Sequence, residues 1–419
     1  MMKKSLAAAV GAMLMAGSAA AVEVSHGGKG DLLIAPLFMT GGGWRTELKV
    51  INTNTVDSAV AKVVFHAPGR SEEVLDFLIF LSPGDVWVGT VQQNADGSVG
   101  VSSTDPSSIT VALQANGCPS ATGTSGFDPT QARFTRPVTT GYVNIFETRM
   151  IRGLGNAPVA KSAILSAYAA ACTAGTPITA ADTDNVLVGV ARLFNPTNGN
   201  NMSLGMTTLK DYNNTAYHSV GALTGFFNNA ALTTKQQVED ALWGSNYVIP
   251  YNNAAGQFAY GVVTFPTKET FAASANSQYA PFFPVVNDAV NDVGTAVPVT
   301  YSVRDEEENV LGTVGCVFSP CAPASIVSLP REVNVVAIAT GGSIAGSTAT
   351  QVNTQTFTKG WMNVAITTDV SDTRSVANYN NFGAAGSPAI VTYINWDTTM
   401  GNLQGTWQYA PRTYNPAAN

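Results

Sequence analysis

Hydrophobic and polar residues alternate along much of the chain with a period of two, which is typical of β-strands that bury one face. The clearest case is Trp44–Ile51. One face of this segment carries Thr46, Leu48 and Val50, and the other carries Arg45, Glu47 and Lys49. The pattern predicts a strand that packs one face on a core and presents the other to solvent.

The same period, or a compact apolar run, predicts many more short strands. Turn-forming stretches separate them at intervals of 8–12 residues, as in antiparallel sandwiches. Asn52–Thr55 and Ser82–Asp85 are the strongest predicted turns, because Asn, Ser, Asp and Pro-Gly favour turn geometry. The further predicted strands are Asp31–Phe38, Ala59–His66, Glu72–Leu81, Val86–Gln92, Ser108–Ala115, Gly141–Met150, Asn185–Phe194, Tyr247–Pro250, Tyr260–Phe265, Val297–Val303, Glu332–Ala339, Trp361–Thr367 and Ala389–Trp396.

Helices are predicted at two places. Val159–Cys172 is rich in Ala, Leu and Ser, and Thr234–Gln237 forms a capping-box pattern before Val238–Trp243. We therefore expect a mainly β protein of antiparallel, Ig-like β-sandwich domains with a few short helices. The expected division is a signal peptide at 1–21, an N-terminal sandwich at 22–150, a mixed middle region at 151–290 and a β-rich C-terminal region at 291–419.

The start of the chain has the three parts of a secretory signal peptide. Lys3 and Lys4 are followed by the apolar run Leu6–Met15 and by the small residues Ala19–Ala21. The run is shorter than the roughly 20 apolar residues that span a bilayer, and no later segment has the pattern of a membrane helix. We expect cleavage after Ala21 and a secreted, extracellular or cell-surface protein, with the periplasm as the other compartment.

Charged residues make up only 12% of the chain, against about 25% in ordinary soluble domains. Without Lys3 and Lys4, 19 basic and 28 acidic residues leave a net charge of −9. A nucleic-acid partner is disfavoured, since phosphate binding needs basic clusters. A weakly charged surface rich in Asn, Thr, Ser, Gly and Ala suits a protein that packs against copies of itself, and equally a secreted protein with no such contacts.

Four cysteines, an even number in an exported chain, favour two disulfides. They are Cys118, Cys172, Cys316 and Cys321. The short spacing of the last two predicts a bridge between them, which would leave Cys118 to pair with Cys172. A metal site is the alternative, but His26, His66 and His218 are scattered and give no ligand spacing.

The densest acidic cluster is Asp305, Glu306, Glu307 and Glu308, between two predicted strands. Carboxylates on such a loop can coordinate Ca²⁺, although the spacing of a dedicated calcium loop is missing and a solvated hairpin tip is the simpler interpretation. No other cofactor is expected.

No nucleophile elbow and no metalloprotease helix occur in the chain, and His66 at the end of a predicted strand is not a strong candidate base. We therefore predict no enzymatic activity, although a pair of distant carboxylates for glycoside cleavage stays open. Aromatic residues near the C-terminus, such as Trp396, Trp407 and Tyr409, stand among Asn, Gln and Thr. They are candidates for stacking on sugar rings, or for filling cores and interfaces.

Three stretches resemble an uncharacterised family of secreted proteobacterial cell-surface proteins. They are Asp31–Phe38, Thr46–Asn54 and Glu73–Trp87, with a fainter likeness at Gly141–Glu147 and Val263–Lys268. The resemblance implies export and a cell-surface setting. The family has no settled activity, so it implies no catalytic residues.

Together these features favour a cell-surface structural protein, such as a self-assembling subunit of a surface layer, sheath or filament. Its expected partner is itself, through sheet edges and aromatic contacts, and the strand Ser108–Ala115 is a candidate for pairing between subunits. A carbohydrate-binding or adhesive module is the alternative, and a secreted hydrolase is a third hypothesis.

Overall fold

The structure, a computed structural model, describes residues 22–69, 72–103, 109–111, 132–173, 184–212, 238, 241–244, 246–267, 297–309, 325–338, 349–352, 357–366, 387–397 and 403–408. For 109–111, 173, 325–326, 349–352 and 403–408, only the backbone is described. These residues form a mainly antiparallel β protein, which confirms the predicted fold class. No helix among them is long and apolar enough to cross a membrane.

The N-terminal unit is a sandwich of two antiparallel sheets. Sheet I has the strand order β1-β12-β2-β9-β4-β5-β8, and sheet II has the order β11-β10-β3-β6-β7. The strands are β1 Glu23–Val24, β2 Leu32–Met39, β3 Arg45–Asn52, β4 Ser58–His66, β5 Glu73–Leu81, β6 Val86–Gln93, β7 Val99–Ser102, β8 Ile109–Val111, β9 Thr140–Ile151, β10 Leu187–Asn195, β11 Asn200–Gly205 and β12 Thr207–Lys210.

Strand β3 shows why this sandwich forms. Thr46, Leu48 and Val50 are fully buried between the sheets, whereas Arg45 is exposed on the other face. On the adjacent β6, the Trp87 ring is also fully buried and lies over Gly89, where a Cβ atom would overlap the indole. The predicted alternation of β3 is therefore confirmed, and Gly89 gives the core its largest side chain room to lie flat.

Local side-chain hydrogen bonds hold the first predicted turn. The Asn52 Oδ1 accepts from the Asn54 N–H at 3.0 Å, and the Asn54 Oδ1 accepts from the Val56 and Asp57 N–H groups at 2.8 and 2.9 Å. These are the Asx-type bonds expected of Asn in a turn. In the second turn, the Asp85 N–H donates to the Ser82 carbonyl at 3.0 Å.

The helix α1, Lys161–Thr173, confirms the first predicted helix within two residues. It covers the outer face of sheet I at β4 and β5. Residues on one side of α1 pack on apolar residues of the sheet, as expected of an amphipathic surface helix. The contact consists of Ile164, Leu165, Tyr168 and Cys172 on the helix and Val60, Leu78 and Phe80 on the sheet.

The C-terminal unit is a second sandwich. Sheet III has the order β14-β20-β16-β17, sheet IV has the order β19-β18-β15-β22-β23, and β13 pairs with β21 alone. The pair β18–β19 is parallel. The strands are β13 Trp243–Gly244, β14 Asn246–Asn252, β15 Gln257–Thr264, β16 Val297–Asp305, β17 Ser325–Leu329, β18 Val333–Ile338, β19 Ala349–Val352, β20 Lys359–Ile366, β21 Ser387–Pro388, β22 Ile390–Asp397 and β23 Leu403–Gln408.

The predicted middle region, 151–290, contributes to both units. Its strands β10, β11 and β12 complete sheets II and I, and its strands from β13 onward belong to the C-terminal unit. Of the second predicted helix, Val238 and Ala241 are helical and the chain enters β13 at Trp243. The capping box Thr234–Gln237 lies outside the described residues.

Sheet IV is buried on both faces. Ala259, Val263 and Val391 pack on sheet III, and in the same strands Tyr260, Val262 and Ile394 belong to the apolar cluster of the N-terminal unit. Hydrogen bonds reinforce the junction. The Thr264 Oγ1 donates to the Pro36 carbonyl at 2.7 Å, and the Glu332 N–H donates to the Pro68 carbonyl at 2.8 Å. The two sandwiches therefore share a continuous core.

Replacing Thr264 with Val tests this junction. The strand register of β2 shifts between Ala35 and Phe38, and within this irregularity the buried Pro36 carbonyl accepts the Thr264 hydroxyl. The change removes that donor, and we expect the free energy of unfolding to fall by about 1–3 kcal/mol. Urea unfolding followed by far-UV circular dichroism measures it. Thr90→Val, on the outer face of β6, is the control; equal stability of the two variants would contradict the assignment.

Candidate functional site

The outer face of sheet II carries an apolar patch where a solvated sheet face is normally polar. Five aliphatic side chains occupy two neighbouring rows of paired strands. In one row Ile51 pairs with Val188 and Val86, and in the next Lys49 pairs with Val190 and Val88. Val86 is 37% exposed and Val190 is 38% exposed. Contiguous exposed apolar residues of this kind mark interaction sites.

The two following rows of the same face are charged. The Glu47 carboxylate lies 3.1 Å from the Lys49 Nζ and 4.0 Å from the Arg192 Nη1. The Arg192 guanidinium stacks over the Phe194 ring at 4.9 Å, beside Arg45. Arg45, Lys49 and Arg192 against Glu47 give this face a charge of +2, whereas the whole chain carries −7. We call Arg45, Glu47, Lys49, Ile51, Val86, Val88, Val188, Val190, Arg192 and Phe194 the sheet II face.

The outer face of sheet III is also open. Val248 on the edge strand β14 is 43% exposed and pairs with Asn363. In the next row Trp361 lies between Pro250 and Arg304, with the Arg304 guanidinium 5.2 Å from the indole centroid. We call Val248, Pro250, Ser302, Arg304, Trp361 and Asn363 the sheet III face.

The acidic cluster predicted from the sequence forms the turn after β16, at one end of the sheet III face. Both carboxylate oxygens of Asp305 are used within the turn, because they accept from the Asn309 N–H at 2.7 Å and the Asn309 Nδ2 at 2.8 Å. Glu306, Glu307 and Glu308 are exposed. In the described part of the chain, no three Asp, Glu, His or Cys side chains converge to hold a metal ion. The calcium site stays a prediction that this geometry does not support.

A buried carboxyl pair, which the sequence did not reveal, lies where sheet I begins. Asp31 is 1% exposed, and its Oδ1 accepts the Asn185 N–H at 2.7 Å. Its side chain also hydrogen-bonds to that of Glu147, which is buried as well. Burial raises the pKa of Asp31 to about 7, and the nearby charge of Asp211 raises it too. Two carboxyl groups in contact must share a proton, and the contact with Glu147 acts to lower the pKa of Asp31, against the larger effect of burial.

Two residues with left-handed backbones enclose this pair. Asn185 has φ 52° and Asp211 has φ 58°. Each fixes the other, since the Asn185 Nδ2 donates to the Asp211 Oδ1 and the Asp211 N–H donates to the Asn185 Oδ1, both at 2.9 Å. Asn and Asp are the non-glycine residues that adopt this conformation most readily. The arrangement joins the segments before β10 and after β12 around Asp31.

A serine and a lysine meet at the start of α1. The Lys161 Nζ donates to the Ser82 Oγ at 3.0 Å, and burial lowers the pKa of Lys161 to about 8. Such a pair can act as nucleophile and base. Here, however, Lys161 is also ion-paired with Asp85, which favours the protonated amine. The contact serves to fasten the first residue of α1 to the Ser82–Asp85 turn.

The structure describes the side chain of one of the predicted disulfide cysteines, Cys172, and that of one of the predicted interface aromatics, Trp396. Cys172 on α1 is disulfide-bonded, but the other three cysteines, Cys118, Cys316 and Cys321, lie outside the described residues, so the pairing of Cys172 with Cys118 stays a prediction. Trp396 is half-buried at the junction of the two units, where its ring lies 5.8 Å from Trp44 and 6.2 Å from Phe258. It therefore serves as an interface aromatic within the chain.

The remaining predicted residues are placed as follows. Trp407 pairs with Tyr393 through the backbone, and Tyr409 lies outside the described residues. His66 ends β4 as predicted but is buried, with its ring stacked 4.6 Å from that of Tyr142. Of the predicted strand Ser108–Ala115, Ile109–Val111 pairs with β5 of the same chain, so any pairing with a neighbour is limited to its outer edge.

Comparison with known proteins gives no family. No family model matches the chain, and no curated protein matches it. Among solved structures, the apo form of the Pleurotus ostreatus lectin is similar at 9% identity over 93% of this chain and 84% of the lectin, with a TM-score of 0.09. A likeness at that TM-score supports neither a fold nor a function.

Asp31→Asn tests the buried carboxyl pair. Because the pKa of Asp31 is raised to about 7 in the folded protein, the folded state holds a proton that the unfolded state releases above about pH 4. The stabilisation from this proton is complete below about pH 4. It is lost as the pH rises to 7, at about 1.4 kcal/mol of the free energy of unfolding per pH unit. An amide at this position does not titrate and stays neutral at every pH. We expect the variant to lose this decline, so that it is the more stable protein at pH 8, as measured by urea unfolding at several pH values.

Asp96→Asn is the control for this experiment. Hydrogen bonds from Ser98 and Arg133 hold the pKa of Asp96 below its ordinary value, so its carboxylate is ionised in both states between pH 5 and 8. The substitution leaves the slope unchanged over that range. An unchanged slope in Asp31→Asn as well would show that Asp31 and Glu147 do not share a proton.

Proposed function

We propose that this chain is a structural subunit that assembles with copies of itself in an extracellular or cell-surface layer, sheath or filament. The observation that carries the proposal is the sheet II face, with its five aliphatic residues in two adjacent rows. When another surface covers a sheet face that is partly apolar and exposed in the single chain, the burial stabilises the contact by roughly 25 cal/mol per Å² of apolar area.

The composition supports this proposal. With 12% charged residues and a net charge of −7 over 419 residues, copies of the chain repel one another weakly, and it is a large net charge that keeps proteins monomeric. The joined sandwiches support it too, since a subunit that bears load needs units that do not separate, and the core runs through sheet IV from one unit to the other.

The double variant Val88→Gln/Val190→Gln tests the sheet II face. It removes two apolar side chains that flank Lys49 and adds no charge. We expect the critical concentration for assembly, measured by sedimentation velocity and negative-stain electron microscopy, to rise about tenfold or more, since each buried Val contributes about 1.5 kcal/mol.

The matched control is Val56→Gln/Leu154→Gln, which changes two exposed aliphatic residues outside both open faces. It is expected to assemble like the unchanged protein. Wild-type protein that stays monomeric at high concentration would overturn the proposed function itself.

A carbohydrate-binding module is the second candidate, and the sheet III face favours it. Trp361 is a half-buried indole on an open sheet face, with the amide of Asn363 and the hydroxyl of Ser302 in the next row. Flat aromatic rings beside amides and hydroxyls suit the apolar faces and polar edges of sugar rings.

Trp361→Ala tests that candidate by affinity electrophoresis in gels that contain soluble polysaccharides. Loss of retardation is expected if Trp361 stacks on sugars. Phe194→Ala is the matched control, because Phe194 is also a half-buried aromatic under an arginine on an open sheet face. Equal mobility of wild-type protein in gels with and without polysaccharide would remove the carbohydrate hypothesis for these glycans.

A further inference from the structure

We infer that the sheet II face of one copy binds the acidic turn and the sheet III face of a second copy. The inference rests on the proposed self-assembly and names the two surfaces that meet. Charge complementarity is the first argument, because the sheet II face carries +2 on a chain of −7. A ligand for this face should present negative charge beside an apolar surface.

The turn after β16 presents that combination. Asp305–Glu308 is the longest run of acidic residues in the sequence, and the three glutamates are exposed. Arg304 and Lys359 lie beside it, which leaves a local charge of −2. The strands that lead from the turn carry Trp361 and Pro250 in one row and Val248 in the next.

The order of charged and apolar rows matches on the two surfaces. On β3 the rows run from Arg45 and Glu47 to Lys49 and Ile51, so charge gives way to aliphatic residues. From the acidic turn, the rows run to Trp361 and then to Val248. Successive rows on one face of a strand are about 7 Å apart. When the glutamates meet the row of Arg192, Trp361 and Pro250 lie over the row that contains Val88 and Val190, and Val248 lies over the row of Ile51.

Contacts between two identical faces are disfavoured. Two sheet II faces in contact would bring Arg45, Lys49 and Arg192 of both copies together, and two sheet III faces would bring the acidic turns together. Like-charge contacts across an interface cost free energy. The pairing is therefore between different faces of the two copies, and such a heterologous contact repeats from copy to copy as a filament or closes as a ring.

The turn is held in one conformation before it binds. The Arg304 Nη1 donates to the Glu308 carbonyl at 3.2 Å, and the Asp305 N–H donates to the Asn309 carbonyl at 3.1 Å. These bonds add to those that the Asp305 carboxylate accepts from Asn309. A preorganised ligand loses less conformational entropy when it binds.

Charge reversal in two variants tests the inference. The turn variant is Glu306→Lys/Glu307→Lys, and the face variant is Arg45→Glu/Lys49→Glu. Alone, each brings like charges together and is expected to raise the critical concentration for assembly about tenfold or more. In an equal mixture, every turn meets a face of opposite charge, and assembly of alternating copies should return. Rescue in the mixture also shows that both variants fold.

The control for net charge is Glu23→Lys/Glu72→Lys, which reverses two partly exposed carboxylates of sheet I, at β1 and just before β5, rather than on either face. It is expected to assemble as the unchanged protein does. Normal assembly of the turn variant alone, or a mixture that stays unassembled, overturns the inference. The proposed function survives that result if Val88→Gln/Val190→Gln still raises the critical concentration for assembly, and it fails together with the inference if wild-type protein does not assemble.

Discussion

The burial of sheet IV on both faces is the constraint on which the rest of the structure depends. An antiparallel sheet commonly keeps one face in water, but here alternate residues of β15 belong to two different apolar clusters. Val262 faces the N-terminal unit and Val263 faces sheet III. Both units must therefore be folded for sheet IV to be covered, and the two sandwiches stabilise each other through a single strand layer.

This arrangement decides which surfaces are left for partners. With sheet IV enclosed and α1 lying over part of sheet I, the outer faces of sheets II and III are the described sheet faces that carry large exposed hydrophobic residues, Val86 and Val190 on one and Val248 on the other. They belong to different units, and the continuous core fixes each unit against the other. A contact between them in two copies can therefore transmit a defined geometry along an assembly.

Local patterns predicted the local structure well. The alternation in β3, the asparagine bonds of the first turn and the helix α1 each depend on residues close together in the chain. The same alternation did not reveal the exposed valines, because Val88 and Val190 lie on the outward side of strands whose inward side is equally apolar. In such a strand, hydrophobicity alone does not say which face meets the core.

Contacts between distant residues account for the rest. Asp31 meets Glu147 and Asn185 only because β2, β9 and the segment before β10 converge, and each of the two lies more than 100 residues from Asp31 in the chain. Lys62 stands in an apolar strand, and its burial against Glu73 and Asp76 follows from the pairing of β4 with β5. Likewise, Trp396 stands among polar residues in the sequence, and only the junction of the two units brings Trp44 beside it.

Strand β3 shows how stability and assembly are connected in this chain. Its inward residues Leu48 and Val50 hold sheet II on sheet I, while Lys49 and Ile51 on the opposite face belong to the surface proposed for assembly. A strand has two faces, so the residues of β3 that stabilise the core and the residues proposed for assembly occupy different positions. The inward residues of β3 can therefore keep their volume while the outward residues change charge. The specificity of assembly can then vary without a change of fold. The coupling between the two roles is through register alone, because a slip of one residue would exchange the two faces.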